Sequence, residues 1–439
     1  MHPADLYSSR DGWTRTRIDA VAPPIRDMID PAGFEDQEVF HISIPALDEL
    51  GDGRLESSSS IGSQKLRLRG GEVLISKLNP RKSRVLLVSA QAAPILASGE
   101  FVALEPGPNC DSRFLAWLLR SSLFRQWLDS HVRSVTRSHQ RVDPQFITQA
   151  QMWVPGIDQQ RCIADYLDQA TNRLNLIQDS RKRVARLARK RIDAVILSRV
   201  IPASADWPGD HPLDDLPLTT SIEGWSHMRL KDVIQGAHNG VWGDEPGGGP
   251  DDSFCVRVAD FDYPHGRVAS VPTRRAVPEG MRTKRALRVG DLLLEKSGGG
   301  EKQPVGRVVL WDRELSDPVV CSNFIARMRP QPGFDSSYLQ LVHRALYACG
   351  VTMLSIKQTT GIQNLDAEHY LDRTISVPKL KEQIRIRTEL EALVGCERRI
   401  ADQSEQQVQL LDEHRDALIT AAVTGELDPS SYRASAVAA

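Results

Sequence analysis

The side chains of this sequence that could engage a ligand fall in four polar clusters. In the first, Lys77, Asn79, Arg81, Lys82 and Arg84 lie on a turn between two apolar runs, Glu72–Ile75 and Arg84–Val88. The second, Arg133, Arg137, Ser138, His139, Gln140 and Arg141, is basic and has no strong apolar period. The third is the run from Lys296 through Gly298-Gly299-Gly300 to Lys302 and Gln303, and the fourth holds Lys357, Gln358, Thr359, Thr360, Gln363 and Asn364. Cationic, hydroxyl and amide groups on loops suit phosphates and base edges. Arg, Gln and Asn can pair bidentately with a base and can equally serve at a phosphate, so the residue types alone do not separate the two uses. For the first cluster an exposed polar turn is an equal alternative.

Bond-making chemistry finds less support. Three consecutive glycines permit close backbone approach to a ligand, but the Lys-Ser/Thr pair of a phosphate-binding loop does not follow them. Asp291 and Glu295 form an acid pair with Lys296 directly adjacent, whereas the common restriction nuclease site spaces its lysine one residue beyond the glutamate. That segment reads as a buried strand ending at a charged turn. There is no Asn/Asp-Pro-Pro-Tyr/Phe tetrapeptide, no Gly-x-Ser-x-Gly elbow and no His-Glu-x-x-His helix. The six cysteines are scattered, with no Cys-x-x-Cys pair and no zinc spacing. No catalytic residue, metal or cofactor is expected, and the cysteines read as reduced thiols of a cytoplasmic protein.

The elements that must position these clusters come in duplicate. Val154-Pro155 and Val377-Pro378 are 223 residues apart. At that offset Gln140 falls on Gln363, Asp143 on Asp366, Gln160 on Gln383, Leu167 on Leu390, Ile177 on Ile400 and Asp193-Ala194 on Asp416-Ala417. With small gaps the match extends upstream: Gly71-Glu72-Val73-Leu74 resembles Gly290-Asp291-Leu292-Leu293, and Gly12-Trp13 resembles Gly224-Trp225 near offset 212. Two copies are too few for a solenoid and suit a pseudo-twofold molecule with two working surfaces. The cluster Lys357–Asn364 occupies the repeat position of Arg137–Arg141, which strengthens both.

Each copy opens with a mixed part. Short apolar runs bounded by Gly, Pro and Asn predict strands, and Phe114, Leu115, Leu118, Leu119 and Leu123 predict a helix over about 114–128, matched by about 337–347. A long helix closes each copy. From about Gln159 to Arg199 there is no Pro or Gly, and Ile163, Leu167, Ala170, Leu174, Ile177, Val184, Ala188 and Val195 form a heptad-like seam. The second, from about Glu382 to Val423, carries Ile386, Leu390, Leu393, Ile400, Leu411 and Leu418, with Gly395 as a weak point. Each would span roughly 60 Å, and two such helices in one chain most simply pack on each other.

The predicted class is therefore α+β: mixed domains over 1–157 and 221–379, long helices over 158–200 and 380–426, a proline-rich linker over 201–220 and a tail over 427–439. The chain has 439 residues, enough for two or three cores, and a net charge of -2. A nucleic-acid surface must then be local, offset by acidic surface elsewhere. No run of about 18 apolar residues predicts a membrane span, and the first residues show no secretory pattern.

Three stretches carry a family resemblance. From Met152 to Ile177, Pro155 precedes a glutamine-led helix start and Leu167-Asp168 stands ahead of Thr171; Ala417–Asp428 reads Ala-Leu-Ile-Thr-Ala-Ala-Val-Thr-Gly-Glu-Leu-Asp; and Gly290–Leu310 has the look of a recognition-domain core. In this order they resemble the specificity subunits of Type I restriction-modification systems, over about Gly12 to Asp428. Ser198-Arg199-Val200 stands where the family's helix ends in Val-Thr-Gly, and Gly156–Gln160 replaces its usual second Pro and Glu-Gln. The resemblance implies two target-recognition domains that read the halves of a bipartite, asymmetric site in double-stranded DNA. It implies helices that form an antiparallel coiled coil, and docking of two methyltransferase subunits and of restriction and translocase subunits. The chain itself would catalyse nothing, while the assembly would methylate adenine and cleave DNA with ATP. A coiled-coil interaction scaffold without DNA reading is the alternative.

Overall fold

Strands form where apolar runs are closed at both ends by turn residues. Val73–Ser76 follows Gly70 and Gly71, both at positive φ (104° and 94°), and all four of its residues are buried. Burial on both faces explains why the run is continuous rather than alternating. In the computed structural model, which describes residues 2–132, 140–202, 218–219, 221–269, 271–300, 303–359 and 362–429, contacts divide the chain into two units. One is residues 1–181 with 406–439, the other residues 182–405. Of the linker expected over 201–220, residues 203–217 and 220 lie outside the described residues.

In the first unit Val73–Ser76 is the middle strand of an antiparallel sheet, flanked by Val85–Leu87 and Phe101–Leu104. It shares a core (Ile42, Leu66, Leu74, Leu86, Ile95) with a five-stranded sheet. The order there is Met28–Ile29, Lys65–Leu68, Ile95–Ser98, Glu38–Ile42, Arg54–Ser57, and only the Phe40↔Ile95 ladder is parallel. The second unit repeats the scheme on a larger scale. Leu292–Glu295, fully buried, lies third in a six-stranded sheet beginning with Ile234–Asn239 and Ile325–Pro330. A three-stranded sheet of Thr273–Ala276, Asp252–Val256 and Val319–Cys321 again has one parallel ladder, Phe254↔Val319.

The helix expected over 114–128 is two helices, Ser112–Arg120 and Ser122–Asp129. Ser121 divides them: its hydroxyl donates to the Leu118 carbonyl at 2.7 Å and accepts from the Phe124 N–H at 3.3 Å, taking over helix bonds as serine does at caps. Its counterpart, Ser336–Ala348, is unbroken.

The repeat reappears as matched geometry at the foot of each long helix. Thr14–Arg17 pairs antiparallel with Gln151–Val154, and Trp225–Arg229 with Thr374–Pro378. Thr14↔Val154 and Ser226↔Val377 differ by the two offsets read from the sequence, 212 and 223. Beside each pair a buried glutamine joins three segments. Gln160 donates from Nε2 to the Pro155 carbonyl at 2.8 Å and accepts the Asp111 N–H at 2.8 Å. Gln383 does the same with Pro378 (2.8 Å) and Asp335 (2.9 Å). Asp111 and Asp335 are themselves the N-caps of the following helices.

The central helix is continuous over Ile157–Val200, 44 residues or about 65 Å. The C-terminal one is broken at Val394 into Leu380–Leu393 and Gly395–Val423. Gly395 costs about 1 kcal/mol against alanine in a helix interior, and the matching residue of the unbroken helix is Asn172. The seams follow the apolar spacing only in part: Ile163, Leu167, Ile386 and Leu390 are buried as expected, but the spacing fails further along each helix. Ile177 and Ile400, repeat equivalents, are 46% and 42% exposed, whereas their neighbours Gln178 and Ala401 are buried. The buried line Ala164, Thr171, Gln178, Ala185, Ile192 keeps a strict seven-residue period, the coiled-coil repeat, but is filled by small and polar residues that a hydrophobicity reading passes over.

Within each unit a piece of one long helix meets a piece of the other. In the first, Ile163, Ala164 and Leu167 share a core with Ile419, Ala422 and Val423. In the second, Arg189 holds Glu405 through two 2.8 Å bonds and Arg191 meets Glu397 at 3.1 Å, so the partner number falls as the first rises and the pieces run antiparallel. Among the described residues no helix is long and apolar enough to cross a membrane.

Gln383→Leu should leave the Asp335 N–H and Pro378 carbonyl without partners, at about 1–3 kcal/mol. Thermal unfolding of the full chain should report a melting point lower by roughly 2–4 °C for each kcal/mol lost. A second outcome concerns His343, fully buried and bonded through Nδ1 to the Tyr370 hydroxyl at 2.7 Å. Burial pushes it down to about 4, while an unfolded histidine protonates near 6.5. The stability it contributes is complete above about pH 6.5 and is lost as pH falls toward 4, by up to about 1.4 kcal/mol per unit. Denaturant titrations over that range should show a steeper decline for the native chain than for His343→Gln.

Candidate nucleic-acid interface

The turn after Val73–Ser76 folds sharply. Asn79 (φ 50°) and Ser83 (φ 48°) both adopt the left-handed conformation, on either side of a single turn at Pro80–Lys82. Asparagine tolerates that region better than most side chains. The turn brings the first predicted cluster against the described end of the second. Leu78 bridges Arg141, the Asn79 N–H donates to the Gln140 carbonyl at 2.7 Å, and the Val142 N–H donates to the Lys77 carbonyl at 3.0 Å. Arg133, Arg137, Ser138 and His139 lie outside the described residues.

The side chains at this junction divide by role. Arg84 is buried, its guanidinium closed on Asp48 at 2.6 and 2.7 Å and on the Leu78 carbonyl at 3.1 Å. It holds the turn rather than facing a ligand. Lys82 also lies near Asp48, at 3.5 Å. Arg81 and Arg141 are exposed, and Arg141 chelates Glu100 at 3.0 and 3.1 Å. Lys77 and Gln140 are half-buried.

The second unit repeats this junction. Ser297 bridges Asn364, with its hydroxyl 2.6 Å from the Asn364 Oδ1. The Leu365 N–H donates to the Lys296 carbonyl at 2.7 Å and the Gly298 N–H to the Gln363 carbonyl at 3.2 Å. Arg141 and Asn364 are equivalent at offset 223, and Lys77 and Lys296 at 219, the spacing of Gly71 and Gly290. Asn364 belongs to a hairpin, Ile356–Thr359 with Ile362–Leu365, in which Lys357 faces Asn364 and Gln358 faces Gln363 in register. Asp366 ends the hairpin, caps the next helix and pairs with Lys357 at 2.6 Å. Gln303 closes the glycine turn against Gly300. Lys302 and Thr360 lie outside the described residues.

Three of these residues, Lys296, Lys357 and Asn364, line a groove of about 1310 Å³. The sequence reading missed the rest of its polar lining. Lys231, Lys284, Arg285 and Arg327 join the two lysines, with His238 and Asn239 from the strand edge. Lys231 is balanced by Asp372 and Lys357 by Asp366. Among the described residues Lys284, Arg285, Lys296 and Arg327 form no ion pair. Arg285 is held by the carbonyls of Asn239 and Gly240, and Arg327 by those of Lys284 (3.3 Å) and Ala286 (3.0 Å). Burial, then the neighbouring Arg329, pulls Arg327 below the ordinary arginine range, and burial does the same to Lys296. The six cations of the lining outnumber its three carboxylates, Asp366, Glu368 and Asp372, and that excess favours an anionic occupant. The one sequence signal was the basic helix Glu279–Arg285, with Arg282, Lys284 and Arg285 in its last turn; Lys231, His238, Asn239 and Arg327 had none.

The acid pair beside this groove is structural. Glu295 is closed by Arg307 at 2.7 and 2.8 Å and Asp291 by Arg329 at 2.7 Å through both oxygens, with both acids buried. All six cysteines are free thiols.

The fold and its doubled polar junction define a tandem α+β protein with a long helix after each copy. No family model and no curated protein matches the chain. Solved structures do. A chain from a structure describing complex assembly and conformational transition of the type I R-M system aligns with a TM-score of 0.64 at 18% identity, covering 96% of this chain and 100% of that one. The HsdS subunit from Thermoanaerobacter tengcongensis aligns at 0.43 and 18% identity over 97% of this chain and 100% of its own. The Type-I restriction-modification system S subunit from M. genitalium aligns at 0.37 and 12% over 96% and 98%. The first likeness places the fold of this chain with that of the type I R-M chain.

Arg285→Ala and Arg327→Ala should each weaken retention on duplex DNA and lower the slope of log affinity against log salt by about 1 for every phosphate contact removed. Arg84→Ala should instead cost about 1 kcal/mol of stability, because the buried guanidinium no longer ties the turn to the Leu78 carbonyl while Asp48 stays partly exposed beside Lys82, and should leave the salt slope as it was. Binding titrations at several salt concentrations, with melting curves on the same samples, separate the two effects.

Proposed function

We propose that this chain is the DNA-sequence-specificity subunit of a Type I restriction-modification assembly. Its two recognition domains, 1–157 and 221–379, each read one half of a bipartite, asymmetric site. The helices over 158–200 and 380–426 form an antiparallel coiled coil that fixes the spacing. Readers on one DNA face lie about one helical turn apart, and because the two domains differ in sequence the half-sites differ too. Two methyltransferase subunits and restriction and translocase subunits dock on this frame and carry the catalysis; the chain itself binds and positions, in the cytoplasm. Exposed Leu176, Ile177 and Leu187 on the central helix, and Leu393, Ile400 and Leu410 on the C-terminal helices, give such partners apolar purchase.

The observation that carries this reading is the doubled junction, Leu78 with Arg141 and Ser297 with Asn364. At each, two separate polar clusters are brought to one place at equivalent repeat positions. The likeness in fold to the type I R-M chain supports it. Lys77, Asn79, Arg81, Lys82, Arg84, Arg133, Arg137, Ser138, His139 and Arg141 are assigned to the first half-site, with Arg84 acting by holding the turn. Lys296, Lys302, Gln303, Lys357, Gln358, Thr359, Thr360, Gln363 and Asn364 are assigned to the second. A pure interaction scaffold gives no reason for a groove in which cations outnumber carboxylates and Arg285 and Arg327 are held by backbone carbonyls instead of acids.

Genome-wide mapping of modified adenine, after co-expression with the neighbouring methyltransferase subunit in an unmodified host, tests the proposal. A bipartite motif with a fixed gap, absent without this chain, is the expected outcome. Co-purification of the two proteins with no motif and no retention on DNA would leave only the scaffold.

A further inference from the structure

Beside the basic groove of the second unit lies a cleft of about 410 Å³ with a different lining. Aromatic residues make up 6% of the chain. Among the described residues, the exposed large hydrophobic side chains include two aromatics, Trp242 at 37% and Phe324 at 48%, and both line this cleft. An exposed aromatic ring costs hydration free energy, so two converging on one cleft call for an occupant. The Arg275 guanidinium stands over the Trp242 ring, 4.3 Å from its centroid, and that tryptophan lines the cleft. Arg275 is itself anchored by Glu245. Ser322, 1% exposed, lines the same cleft, and its buried hydroxyl has no hydrogen-bond partner among the described residues. Gly240 lets the chain leading to Trp242 lie directly on this segment, since a Cβ there would overlap the Cys321 and Ser322 carbonyl oxygens.

The cleft and the groove share a wall. Lys296 lines the groove, while the next two residues, Ser297 and Gly298, line the cleft. Phe324 is tied to the same wall, its carbonyl accepting the Lys296 N–H at 2.8 Å. A polyanion lying along the cations would thus pass within two residues of an aromatic, partly polar slot of ligand size. We propose that the Trp242–Phe324 cleft takes up a nucleobase turned out of the duplex at the half-site of the second unit, stacking it on the rings. This rests on the specificity-subunit reading, because it requires DNA in the adjoining groove. Stacking tolerates any base, so the cleft would contribute affinity and a preference for base steps that open easily, while Asn364 and its neighbours read identity.

The complex of the full chain with its methyltransferase subunit provides the test, on duplexes carrying its own site with 2-aminopurine placed in turn at each position. One position in the half-site read by the second unit, other than the methylated adenine, should change emission on binding. Trp242→Ala and Phe324→Ala should abolish that change and weaken binding about 5- to 150-fold, the range for one stacked base. Trp242→Phe should restore most of it. Melting curves should hold for Phe324→Ala and for Trp242→Phe, while Trp242→Ala also gives up the Arg275 contact and melts slightly lower. Specific binding by the native complex with no such position, or alanine variants that bind within twofold of it, overturns the cleft assignment alone. So does loss of the methyltransferase subunit from the alanine variants while the free chain still binds DNA as before, since that outcome makes the cleft a protein contact. Absence of any sequence-specific binding by the native complex overturns the specificity reading and the cleft assignment together.

Discussion

Each long helix must leave its α+β part at a fixed place and angle, and a buried glutamine sets both. Gln160 and Gln383 sit one turn into their helices, donating to the proline carbonyl that ends the preceding strand and accepting the N–H of an aspartate that caps another helix. Strand end, long helix and capped helix are tied at one buried point. The amide suits this place because it supplies a donor and an acceptor in one plane without charge; a buried carboxylate or lysine would need a counter-ion. The strand pair and the capped helix of each copy meet at that point.

Electrostatics explains why a chain of nearly zero net charge can still present a cationic surface. Most arginines near the two junctions are spent internally: Arg84 on Asp48, Arg141 on Glu100, Arg307 on Glu295, Arg329 on Asp291. The cations of the groove are different in kind, because Arg285 and Arg327 are positioned by backbone carbonyls. A carbonyl orients a guanidinium while leaving its charge uncancelled. The functional distinction between two arginines therefore lies in their partners, which composition does not record.

The two copies are also unequal. The first has a chelated arginine where the second has Asn364 beside a lysine-rich groove, so one framework carries two chemically different surfaces. Such divergence is what the proposed reading of two unlike half-sites requires, and it arises without altering the strand pair or glutamine at the foot of either helix.

The sequence by itself determined the duplication, the α+β class, the unbroken central helix, the weak point at Gly395 where the second long helix divides, and the polar segments that meet at each junction. These are properties of local spacing: Gln140 on Gln363 and Val154-Pro155 on Val377-Pro378 are visible because repeat, period and turn residues are written along the chain. Only the tertiary structure decided which side chains stand in the groove and which hold the fold. Arg327 and Lys231 come to Lys296 from separate segments, Arg84 turns inward to Asp48, and the buried helix line runs through Thr171 and Gln178 rather than Ile177. Those outcomes depend on partners far away in sequence and on which groups escape water together, and a charge or a methyl group carries neither in its own letter.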